Sequence, residues 1–143
     1  MTWGKPHKEK KSKAQSQMGE SEIKAKLDAL KATIQRAFDS RSRFWFYTLL
    51  ACAYALYDEW RAVRHSKKNA KKAARSFGLK IKDGAHPLTA IIKVLTPTGV
   101  DARRWTDGLR FARKKGVAPK DLTAFLKANG GIAGCARQFH AQG

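Results

Sequence analysis

Apolar residues recur at helical intervals along most of this chain, beginning near Ser21. Ile23, Leu27, Leu30, Ile34 and Phe38 follow one another at steps of four, three, four and four, the stripe of an amphipathic helix. Lys24, Lys26, Lys31 and Arg36 fall on its other faces. Ser40 or Ser42 is placed to cap a second helix over residues 43–60, which is apolar nearly all round until Asp58. This helix carries Phe44, Trp45, Phe46, Tyr47, Tyr54, Tyr57 and Trp60, and so dense an aromatic block predicts the buried centre of a bundle. Stacking on nucleic-acid bases is the other use of such a block in a basic protein.

The pattern continues with Val63, Ala70, Ala74 and Phe77 on one face and Arg64, Lys68, Lys71, Lys72 and Arg75 on the opposite one, with Gly78 placed to end that helix. Asp83-Gly84 reads as a turn, and His86 before Pro87 is biased to extended geometry. Leu88, Ile91, Ile92 and Leu95 predict a short helix over 88–95, with a strand left open by the β-branched content. Asp101 caps a helix running to about Lys115, with Trp105, Leu109 and Ala112 inward and Arg103, Arg104, Arg110, Arg113 and Lys114 outward. A last short helix opens at Gly131, with Ile132, Cys135, Ala136 and Phe139 as its apolar face. The expected fold is all-α: a compact bundle of five to seven helices around the aromatic helix, in a single domain over 20–143. Residues 1–19, rich in Lys, Ser and Gln, read as a flexible basic tail.

Charge changes the picture most. The 143 residues hold 30 Lys and Arg against 11 Asp and Glu, a net charge of +19. Such an excess repels itself in a compact chain unless a polyanion shares it, and nucleic acid is the commonest such partner. Between Arg61 and Lys82 there are nine basic residues and no acid, whereas an ordinary solvated face mixes signs. Arg61, Arg64, Lys67, Lys68, Lys71, Lys72, Arg75, Lys80 and Lys82 are therefore candidate phosphate contacts, with Arg103, Arg104, Arg110, Arg113 and Lys114 as a second group.

Residues 108–128 add a sharper candidate. Ala112, Gly116, Val117, Leu122 and Phe125 stand at spacings that resemble those of helix-turn-helix DNA-binding proteins. A small residue admits the second helix, a glycine makes the turn, and apolar residues point back. That resemblance implies a recognition helix over 118–128 presenting Lys120, Thr123 and Lys127. It lacks the Arg, Asn or Gln that read bases bidentately, so largely sequence-tolerant binding of DNA or RNA is the expected function. Two other readings stay open. One is a small subunit of a larger ribonucleoprotein with protein neighbours, similar in helicity and charge to small subunits of CRISPR effector complexes. The other is a basic adaptor or inhibitor docking on an acidic protein.

Few groups suggest chemistry. Cys52 and Cys135 stand in no metal-ligand spacing, the histidines have no partner at motif spacing, and Asp58 and Glu59 point to different helix faces. Neither enzyme activity, a cofactor, a metal nor a small-molecule substrate is expected. The longest uncharged run, 44–57, falls short of a bilayer span, and the N-terminus lacks the apolar segment of a secretory signal. A soluble, cytoplasmic protein is the expectation.

Overall fold

The structure, a computed structural model, describes residues 19–82 and 84–142. The basic tail expected over 1–19 thus lies, apart from Gly19, outside the described residues. Seven α-helices and no strand occur among those described: α1 Glu20–Asp39, α2 Trp45–Ala62, α3 Ser66–Ser76, α4 Pro87–Leu95, α5 Ala102–Lys114, α6 Leu122–Ala128 and α7 Gly131–Gln142. A single 3-10 turn, Pro119–Asp121, precedes α6. The segment 88–95 that sequence left open between helix and strand is helical. Asp101 caps α5 as expected, its Oδ1 accepting the Arg104 N–H at 3.0 Å.

The most completely buried helix of the bundle is not the aromatic one. It is α4, whose Pro87, Leu88, Ala90, Ile91, Ile92, Val94 and Leu95 are all buried and which packs against α1, α2, α3 and α5. The α2 helix is buried along one side only. Leu49, Leu50, Ala53, Tyr54, Leu56, Tyr57 and Trp60 face inward, and Ala55 and Glu59 are exposed along the other side. The aromatic block is thereby divided. Tyr54, Tyr57 and Trp60 join the core, whereas Trp45, Phe46 and Tyr47 are half-buried and Phe44 is 55% exposed. The physical reason is position: Phe44–Tyr47 occupy the first turn, at the edge of what the neighbouring helices cover, and apolarity alone does not bring a partner there.

The basic stretch is also not one helix. Four helices end in the same hydrogen-bonded motif, in which a residue of left-handed conformation reverses the chain. Glycine holds that position after α3 (Gly78, φ 66°) and after α5 (Gly116, φ 73°). Arginine holds it after α1 (Arg41, φ 58°) and after α2 (Arg64, φ 62°). At Arg64 the His65 N–H donates to the Trp60 carbonyl at 3.1 Å and the Arg64 N–H to the Arg61 carbonyl at 3.0 Å. Arg61 therefore lies in the last turn of α2, Arg64 lies in the turn that follows, and Val63, expected on an apolar face, is 42% exposed. Of the expected apolar face, Ala70 and Ala74 are buried and Phe77 packs against the core.

Helices α5 and α7 form the tightest pair, and Gly108 makes it possible. A Cβ there would lie 2.8 Å from the Ile132 carbonyl oxygen. The α5–α6 corner is tied to α2 by the Tyr54 hydroxyl, which donates to the Val117 carbonyl at 2.6 Å.

Candidate nucleic-acid interface

In α3, Asn69, Ala70, Ala73 and Ala74 turn inward, which leaves Lys67, Lys68 and Lys71 on the exposed face. After Gly78 the chain returns in extended form. Leu79 and Ile81 pack against the core while the alternate residues Lys80 and Lys82 point out, as a period of two requires. His86 then starts α4, and the one exposed side chain of that helix is Lys93. From the far side, α5 contributes Arg103 and Arg110, two turns apart on one face.

Lys67, Lys80, Lys82, Lys93, Arg103 and Arg110 line a single groove of about 1050 Å³. Its floor includes Thr89 and Thr106, whose hydroxyls are 2.8 Å apart and join α4 to α5. Two carboxylates share the lining, Asp101 and Asp107, and the second accepts a hydrogen bond from His140 Nε2 at 2.8 Å. The Arg110 guanidinium lies over the Phe139 ring at 4.9 Å, which orients it without neutralising it. A neighbouring hollow of about 490 Å³ is lined by Arg61, Arg64, His65, Ser66, Lys67 and Lys68. A third of about 200 Å³ takes in Lys67, Lys71 and Lys82. Lys67 borders all three, so the cations form one band.

His86 stands beside the groove with an altered titration. Its Nδ1 accepts the Leu88 N–H at 3.1 Å, which places the ring proton on Nε2, 3.4 Å from the Tyr57 hydroxyl. Burial, followed by the positive charges of Arg110 and Arg61, lowers its pKa to about 4. The imidazole is neutral at pH 7 and serves as the N-cap of α4.

The basic residues expected to contact phosphate divide by what they already touch. Arg61, Arg64, Lys67, Lys68, Lys71, Lys80, Lys82 and Arg103 are exposed and have no ion-pair partner among the described residues. Arg75 pairs with Glu20 at 3.3 Å and Arg104 with Asp101 at 3.9 Å. Arg113 is the most committed, since it donates to Asp58 at 2.8 Å and covers the Tyr57 ring at 5.3 Å. Lys72 is half-buried, and Lys114 is exposed outside the groove. Lys93 was missed by sequence reasoning, because one lysine in an apolar helix carries no pattern.

Around the second candidate, α5 and α6 meet at Gly116 and the Phe111 and Phe125 rings are 5.9 Å apart. The second helix has only seven residues after its 3-10 turn and packs on α7 more than on α5. Lys120 is exposed, Thr123 is half-buried, and Lys127 lies over the Phe44 and Tyr47 rings at 5.1 and 5.3 Å.

Both cysteines are free, Cys135 buried and Cys52 half-buried, and burial raises the pKa of each thiol. Among the described residues, no helix is long and apolar enough to cross a membrane, and no three His, Cys, Asp or Glu side chains gather as a metal site.

Comparison with protein-family models, with curated proteins and with solved structures finds no match to this chain. Any functional reading therefore rests on the geometry above.

Proposed function

We propose that the protein binds nucleic acid through the phosphate backbone, with little dependence on base sequence, along the band that runs from Arg61 through the groove to Arg110. The observation that supports this is convergence. Cations from α3, the extended segment 80–82, α4 and α5 border one groove, and most of them have no carboxylate partner. Bringing like charges together raises the energy of the free protein, and a polyanion relieves it by exchanging its condensed counterions for them. A seven-residue α6 with Lys120 in the turn before it, Thr123 half-buried and Lys127 turned onto aromatic rings favours this reading over base recognition in the major groove. The function is binding rather than turnover.

The test is affinity for duplex DNA, single-stranded DNA and RNA across a salt series, for the wild type and for Lys67→Glu/Lys82→Glu/Arg103→Glu. All three positions are exposed, so circular dichroism should be unchanged. Neutralising about six duplex phosphates predicts a log–log salt slope near about −5, and the variant should bind at least ~100-fold more weakly with a shallower slope. Equal affinity in the variant would remove the groove from consideration.

A further inference from the structure

The first turn of α2 leaves an aromatic surface that the groove does not use. Among the described residues Phe44 is the most exposed large apolar side chain, at 55%. Beside it Phe46 and Tyr47 have ring centres 4.4 Å apart, and Trp105 from α5 comes within 6.1 Å of Phe46 and 6.5 Å of Trp45. These pairs are tilted by 32 to 51°, and Trp45 meets the Phe38 and Phe46 rings edge-on at 86° and 87°, so the rings form one packed cluster with Phe44 at its exposed edge.

Positive charge surrounds them. Lys127 rests on Phe44 and Tyr47, and Arg43 is exposed next to Phe44. Arg41 borders a hollow of about 550 Å³ with Phe38, Asp39, Ser42 and Trp45. The one carboxylate of that hollow, Asp39, accepts a hydrogen bond from Gln35 at 2.7 Å. Arg41 is also one of the two arginines held in the left-handed conformation that glycine adopts without strain. The other, Arg64, lines the basic band. The two strained non-glycine residues among those described thus both stand at a positively charged surface, and strain of this kind gathers where a side chain has work beyond the fold.

Flat π-faces rimmed by cations suit a polyanion that itself offers flat faces. In a duplex those faces are hidden in the stack, whereas in a single strand they are free. We propose that Phe44, Trp45, Phe46, Tyr47 and Trp105 form a stacking platform for unpaired bases of single-stranded DNA or RNA, with Arg41, Arg43 and Lys127 meeting the phosphates beside them. This rests on the nucleic-acid reading of the groove and adds to it a preference for single strands.

The experiment uses the full chain in a Trp3→Phe background, titrated with oligo(dT) and with a duplex of equal length while tryptophan fluorescence is followed. Oligo(dT) should quench the emission of Trp45 and Trp105. Phe44→Ala/Tyr47→Ala should weaken oligo(dT) binding by about 10-fold or more, with duplex affinity unchanged within about twofold. Arg41→Gly should weaken oligo(dT) binding and yet raise the melting temperature, a combination that a purely structural arginine would not produce. Unquenched emission together with unchanged oligo(dT) affinity in both variants would overturn the platform. If the duplex still binds and depends on Lys67, Lys82 and Arg103, the groove reading survives that loss. If the wild type binds neither polymer, both fall together.

Discussion

The two ends of α2 are built from the same kinds of residue and meet opposite fates. At its C-terminal end Trp60 and Tyr57 are sealed in the core, and Arg113 covers the Tyr57 ring from outside. At its N-terminal end Phe44 is exposed and Trp45, Phe46 and Tyr47 are half-buried, with Trp105 beside them and Lys127 over the Phe44 and Tyr47 rings. The difference lies in the neighbours: α4 and the α5–α6 corner close over one end, whereas Phe38, Trp105 and Lys127 cover the other only in part. Aromatic content thus measures what a helix can bury, and its surroundings decide what it does bury.

The sharpest contrast should come from truncating a ring at each end. Trp60→Ala empties a fully buried site and should cost about 3–5 kcal/mol in a urea titration. A loss below about 1 kcal/mol would mean that this end is no more buried than the other.

A second test uses the histidine that sits against the buried end. With a folded-state pKa of about 4 against an ordinary 6.5, His86 takes up its proton more readily in the unfolded chain. Its contribution is complete above pH 6.5, and stability is lost as the pH drops from there towards about 4. His86→Asn retains a capping oxygen that does not titrate. Stability measured from pH 7 to 4 should therefore decline less steeply in that variant, and identical slopes would refute the assignment.

The helix ends offer a comparison in which backbone strain can be read alone. Arg64→Gly and Arg41→Gly should each stabilise the fold by about 1 kcal/mol, by relieving the left-handed conformation. Gly116→Ala should destabilise it by about the same amount, since a Cβ at Gly116 would meet nothing within 4 Å and the backbone is the only source of the effect. The smallest change is expected at the exposed ring: Phe44→Ala should leave thermal stability within about 0.5 kcal/mol of wild type.

Much of the helical layout was legible in the sequence. Ile23, Leu27 and Ile34 kept the spacing that places them in the core, Asp101 capped α5, and Gly78 and Gly116 stopped helices where glycine usually does. These are local signals, each acting within a turn or two of its own residue. The stop at Arg64 left no such signal, because arginine takes a left-handed conformation only when surrounding contacts impose it. Nor could periodicity rank α4 above α2 as the most completely buried helix. Both are apolar, and the outcome depends on how completely the neighbouring helices cover each of them.

The candidate site shows the same division. That the chain carries an excess of positive charge is a property of composition, and the run from Arg61 to Lys82 was visible as a string of letters. Which of those charges remain available was decided in three dimensions. Arg113 and Arg75 found carboxylates distant in sequence, Asp58 and Glu20, while Lys93 and Arg103 arrived beside Lys67 and Lys82. The sequence by itself determined where helices form, which faces are apolar and how much charge the chain carries, since periodicity, capping and composition act over a few residues. The tertiary structure alone decided which rings are covered, which cations are paired and which share a groove, because burial and charge pairing depend on residues that only folding brings together.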